Sequence, residues 1–106
     1  MRLRKFMAAA AVATFLVPGA VTLAEAQTQI QWWHAMGGEL GAKLEEIVEN
    51  YNKSQDQYQV VPTYKGSYPE TMTAAIAAFR AGQQPHIVQV YEVGTGTMMA
   101  AKGAVY

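Results

Sequence analysis

The chain has 106 residues, 51% of them apolar and 15% charged, with no cysteine; this excludes disulfides and thiolate metal sites and fits a globular chain with one small core. Arg2, Arg4, Lys5 and Glu25 fall in a segment expected to be removed, and without them five Lys plus Arg face seven Asp plus Glu, a net charge of −2. That balance offers no basic face for nucleic acid.

Residues 1–26 read as a secretory signal peptide. Arg2, Arg4 and Lys5 form a positive start, Phe6 to Val17 is an apolar run of twelve residues, Pro18-Gly19 breaks it, and Ala24-Glu25-Ala26 is a small-x-small cleavage site. The run is shorter than the about 20 residues a spanning helix needs. Arg2 and Arg4 are not adjacent, so there is no twin-arginine signal, and no cysteine follows to accept a lipid. The expectation is export to the periplasm with cleavage after Ala26.

From Gln27 onward, strand and helix signals alternate. Thr28 to Trp33 leans to a strand with Ile30 and Trp32 on one face, and Gly37-Gly38 ends it. Leu40, Leu44, Ile47, Val48 and Tyr51 then recur at helical spacing, predicting a helix from about Glu39 to Asn52 with that set buried and Lys43, Glu45, Glu46 and Glu49 in water. Asn52 to Gln57 reads as a polar loop. Tyr58 to Tyr64 alternates as a second strand, which Pro62 places at or near an edge.

Ser67 and Glu70 fit a capping box and Pro69 suits a first helical turn, so a second helix opens near Tyr68; Met72, Ala75, Ile76 and Phe79 are its expected buried face, and Gly82 and Pro85 end it. His86 to Tyr91 is the predicted third strand, buried and parallel. It delivers Glu92 and a loop, Val93-Gly94-Thr95-Gly96-Thr97, to a last helix starting at about Thr97 and closing at Gly103. The fold class is therefore α/β, in the order β-α-β-α-β-α, with mainly parallel strands. Three helices cover a parallel sheet poorly, and the last residues, Ala104-Val105-Tyr106, are apolar. Residues 27–106 are thus expected to be the N-terminal part of a longer protein, and not a stable domain alone.

Ligands of open parallel sheets bind outside the carboxyl ends of the strands, so Tyr91, Glu92 and the amides around Gly94 and Gly96 are expected to face a crevice. Gly94-Thr95-Gly96-Thr97-Met98-Met99 begins like a dinucleotide loop. It has Met99 at the third glycine and follows the third strand, so no nucleotide cofactor is expected. His86 begins a strand, away from the crevice, and is assigned a structural or solvated role. His34 ends the first strand at the same edge as Glu92, and either lines a site or packs. One of Trp32 and Trp33 is core by alternation, while the other offers a stacking face. No spacing suits a metal.

Four stretches carry a resemblance: Trp33-His34-Ala35-Met36-Gly37-Gly38-Glu39-Leu40-Gly41, Val61-Pro62-Thr63-Tyr64-Lys65-Gly66-Ser67-Tyr68, Ile76-Ala77-Ala78-Phe79-Arg80-Ala81-Gly82, and the run from Gln89 to Ala100. Together they resemble the start of extracellular solute-binding protein family 1 of ABC importers, with Gly-Ser-Tyr and Tyr-Glu-Val-Gly-Thr closest to its glycerol-phosphate branch. The resemblance implies a type II periplasmic-binding-protein fold of two lobes, of which this chain is the start of the first. It also implies capture of sn-glycerol 3-phosphate, and possibly glycerophosphodiesters, for phosphate uptake.

By the same resemblance the protein is no enzyme, uses no cofactor and is a monomer serving two transmembrane permease subunits and two ATP-binding subunits. Tyr68 and Glu92 match ligand contacts of that branch, with Trp33 and His34 as weaker candidates; the phosphate-binding arginine and serines fall outside this sequence. Chemistry divides the roles: a carboxylate 4 Å from a phosphate is opposed by about 4 kcal/mol near a surface, so Glu92 belongs with the glycerol hydroxyls. The alternatives are an oligosaccharide-binding protein of the same family, or an exported hydrolase. The hydrolase would need a second catalytic carboxylate or a nucleophile near Glu92.

Overall fold

The structure, a computed structural model, describes residues 26–106. The signal-peptide reading lies outside the described residues, apart from Ala26. The elements run β1 (Thr28–His34), α1 (Gly38–Ser54), β2 (Tyr58–Tyr64), α2 (Tyr68–Arg80), β3 (Ile87–Val88) and α3 (Glu92–Ala100). All strands are parallel and ordered β2-β1-β3, so β2 is an edge strand, as Pro62 requires. β1 and β2 pair over seven residues, from Thr28 opposite Tyr58 to His34 opposite Tyr64.

The chain leaves β1 in one direction for β2, then crosses back over β1 to β3. Right-handed crossovers in opposite directions put α1 and α2 on opposite faces. Accordingly α1 packs on β2, while α2 packs on β1, β3 and α3. Ser67 and Glu70 form the expected capping box: the Ser67 hydroxyl accepts from the Glu70 amide, and the Glu70 carboxylate accepts from the Ser67 amide.

The core is smaller than the apolar pattern promised. Among the described residues the buried aliphatic side chains are Leu44, Val48 and Ala75. Leu40, Ile47 and Tyr51, expected on the buried face of α1, are 66%, 61% and 45% exposed. Their spacing does put them beside Leu44 and Val48, but α1 rests on an edge strand, and only its central line meets the sheet. On α2, Ala75 is buried, and Met72, Ile76 and Phe79 are half-buried around it. The charged face of α1 is solvated as predicted: Lys43 pairs with Glu46 and Lys53 with Glu49, all exposed. The hydrogen bond and charge of Lys53 hold the Glu49 carboxyl below its usual range.

Asn52 is not a loop residue. It lies in the last turns of α1, where its amide donates to the Val60 carbonyl and accepts from the Val60 N–H, at 2.9 and 2.8 Å. The side chain therefore does the work of a neighbouring strand at one point of the β2 edge. Asn52→Ala leaves both Val60 groups without their partner and is expected to cost the intact protein about 1 to 3 kcal/mol, read by chemical denaturation.

The third strand and third helix depart from expectation. β3 is two residues long instead of six: on either side of it the His86 and Gln89 N–H groups still donate to the Gln31 and Trp33 carbonyls, but side chains replace the backbone acceptors. His86 Nδ1 accepts from the Gln31 N–H at 2.9 Å and Gln89 Oε1 from the Ala35 N–H at 3.0 Å, positions where a longer strand would offer carbonyls. Helix α3 starts at Glu92 instead of Thr97 and ends at Ala100, before Gly103. The Tyr91 carbonyl accepts from the amides of Gly94 and Thr95 and from the Thr95 hydroxyl, which closes a first turn over the segment expected to be a loop.

Candidate functional site

Three parallel βα units in one sheet bring three helix starts to the same edge. β1 ends at His34 before α1 opens at Gly38, β2 ends at Tyr64 before α2 opens at Tyr68, and Val88 precedes α3 at Glu92. Helix starts offer amides without intrahelical partners, but here Pro69 has none, the Glu70 amide donates to the Ser67 hydroxyl, and those of Gly94 and Thr95 donate to the Tyr91 carbonyl. Tyr68 and Glu92, the two residues singled out from the sequence, are the first residues of α2 and α3. They are linked through Tyr91, whose ring centroid lies 5.3 Å from that of Tyr68 with the planes tilted by 41°.

Glu92 is exposed and Tyr68 half-buried. The carboxylate offers two acceptor oxygens beside a helix start, where its own charge is favoured. A phenol both donates and accepts, so the two side chains differ in hydrogen-bonding ability. The amides of Gly94 and Thr95 do not face a crevice, because both are spent on the Tyr91 carbonyl. The expected glycine loop is thus replaced by a helix start in the same place.

His34 is packed. It is 2% exposed, its Nδ1 accepts from the Met36 N–H at 3.3 Å, and its ring stands about 6 Å from those of Trp32 and Tyr64. Its carbonyl accepts from the Lys65 amide at 2.9 Å and from the buried Thr71 hydroxyl at 3.5 Å, which ties the end of β1 to the start of α2. Trp33 is half-buried, and the Lys65 ammonium stands 4.0 Å above its ring, a cation–π contact that covers one face of it. Lys65 and Gln89 were not among the predicted site residues, whereas Tyr91, expected to face the crevice, packs its ring against Tyr68. The register would have pointed to the first, since Trp33 pairs with Thr63, and Lys65, two residues on, falls on the same face.

A groove of about 480 Å³ lies between α2, β3 and α3, lined by Ala75, Phe79, Val90 and Met98 among others. Its apolar walls suit packing by another element and not a phosphate or a sugar. Among the described residues, no three His, Asp or Glu side chains come together to hold a metal ion, and no helix is long and apolar enough to cross a membrane.

No family model matches the chain. Curated proteins do. It is 50% identical over 94 residues to the sn-glycerol-3-phosphate-binding periplasmic protein UgpB of Rhizobium meliloti (strain 1021), covering 89% of this chain and 22% of that one. The protein of the same name in Brucella abortus (strain 2308) is 46% identical over 99 residues, covering 89% and 23%. That of Yersinia pestis bv. Antiqua (strain Antiqua) is 54% identical over 79 residues, covering 74% and 18%. The chain matches a fragment of that family. It spans about a fifth of the length of these binding-protein relatives, so the α/β unit described above corresponds to a part of each. The relatives are periplasmic binding proteins by name, in keeping with a site built from hydrogen-bonding groups at a sheet edge.

Proposed function

We propose that this chain is the first part of the periplasmic protein that captures sn-glycerol 3-phosphate for an ABC importer and delivers it to a permease of two transmembrane and two ATP-binding subunits. The 46% to 54% identity to proteins named for that ligand carries the reading. In it, residues 1–26 are a signal peptide cleaved after Ala26, residues 27–106 begin the first of two lobes, and the protein is a monomeric binding protein, not an enzyme. Glu92 accepts hydrogen bonds from the glycerol hydroxyls and Tyr68 donates to a ligand oxygen. The phosphate is held chiefly by groups of the rest of the protein, since a carboxylate stands at this edge. Trp33, covered by Lys65, and His34, packed beneath the edge, support the site without touching the ligand.

Calorimetry of the intact protein tests the reading. Saturable binding of sn-glycerol 3-phosphate with none of maltose supports it, whereas the reverse preference assigns the oligosaccharide alternative. Ligand recovered unchanged after prolonged incubation supports a carrier, and a hydrolysed product assigns the exported hydrolase.

A further inference from the structure

Helix α3 buries one residue, and it is a glycine. Gly94 and Gly96 lie two positions apart in this helix with no backbone conformation that demands glycine, and each is a poorer helix former than alanine. Their surroundings differ. A side-chain carbon added at Gly94 would lie 3.0 Å from Met72 Sδ and 3.2 Å from Tyr91 Cε1, whereas one added at Gly96 would meet nothing within 4 Å among the described residues. Met72 sits one turn along α2 from Tyr68, and the Tyr91 ring that crowds Gly94 is the ring packed against Tyr68. Tyr68, Tyr91, Gly94 and Met72 thus close a circuit between the first turns of α2 and α3, which carry the two proposed ligand contacts.

We infer that Gly94 and Tyr91 are positioning residues: the bare backbone at 94 sets how closely α3 seats on α2, and the Tyr91 ring transmits that seating to Tyr68. The inference rests on the proposed function. An added methyl at 94 can push Met72 aside, because a thioether is flexible, and where it displaces the Tyr91 ring it moves a ring whose centroid is 5.3 Å from that of Tyr68. The displacement is therefore delivered to the site.

The test is Gly94→Ala against Gly96→Ala in the intact protein, each read by calorimetry with sn-glycerol 3-phosphate and by thermal melting. Gly94→Ala is expected to weaken binding about tenfold, while Gly96→Ala stays within about twofold of wild type; helix propensity favours alanine at both positions and so does not separate them, and a purely structural role of Gly94 would lower the melting temperature while leaving the affinity of the folded protein unchanged. Tyr91→Phe, which keeps the ring, should bind as wild type does. Tyr91→Leu, which adds no atom at 94, should weaken binding and serves as the second reading if Gly94→Ala melts early. Wild-type affinity in both Gly94→Ala and Tyr91→Leu, or equal losses at 94 and 96, overturns the inference alone. A wild-type protein that does not bind sn-glycerol 3-phosphate overturns it together with the proposed function.

Discussion

Glu92→Gln is expected to weaken binding of sn-glycerol 3-phosphate by about 1.5 to 3 kcal/mol, the span for a hydrogen bond to a charged group. The change keeps the shape of the side chain but removes its charge and turns one acceptor oxygen into a donor. A ligand hydroxyl that donated to that oxygen is then left facing an N–H group. Stability should fall by no more than about 1 kcal/mol, from the lost charge at the start of α3, because Glu92 is exposed and no cavity opens. Tyr68→Phe removes a single hydroxyl, so it should cost about 0.5 to 1.5 kcal/mol for a neutral hydrogen bond and up to about 3 if the phenol meets the phosphate. Calorimetry of both variants in the intact protein decides the matter. If each binds within twofold of wild type, the ligand contacts lie elsewhere.

Gly66→Ala should be the most damaging single methyl in the α2 start, with an expected loss of about 2 to 4 kcal/mol in chemical denaturation. Gly66 has φ +100°, a conformation that residues with a side chain adopt only under strain. The added carbon would also fall 1.8 Å from Glu70 Oε2, so Glu70 must leave and the capping box opens. Two costs of different origin therefore combine. Gly66→Ala in the Glu70→Ala background separates them: with the Glu70 carboxylate already removed, adding the methyl should cost mainly the backbone strain. Because Tyr68 follows the cap directly, the affinity for sn-glycerol 3-phosphate should fall in parallel with stability. A Gly66→Ala protein as stable as Ser67→Ala, which loses only the cap, would contradict the strain argument.

Wherever the signals are local, the sequence was a sufficient guide. Alternation over Thr28 to Trp33 and Tyr58 to Tyr64 specified two strands, because side chains of an extended chain point to opposite faces in turn. Ser67, Pro69 and Glu70 marked the start of α2 within its own first turn, and so located Tyr68 at a helix start before any tertiary information. Alternation of strands with helices made the sheet parallel. That in turn put Glu92 and Tyr68 at one edge even though the local structure around Glu92 was misread.

What tertiary structure decided was how wide each face is covered and which backbone groups find partners. The spacing of Leu40, Leu44, Ile47, Val48 and Tyr51 states that they share a face, but only the width of the sheet beneath determines that Leu44 and Val48 are buried and the rest exposed. Glycines and threonines from Gly94 to Thr97 read locally as a loop, since their intrinsic preference is against a helix. They form one because the Tyr91 carbonyl closes the first turn locally and the backbone at Gly94 is seated close to Met72 of another helix, a contact between residues far apart in the chain. β3 is short for a similar reason: the side chains of His86 and Gln89, across more than fifty residues of sequence, accept from the Gln31 and Ala35 amides in place of backbone carbonyls. Local preference is worth less than about 1 kcal/mol per residue, so packing and long-range hydrogen bonds outweigh it wherever they are available.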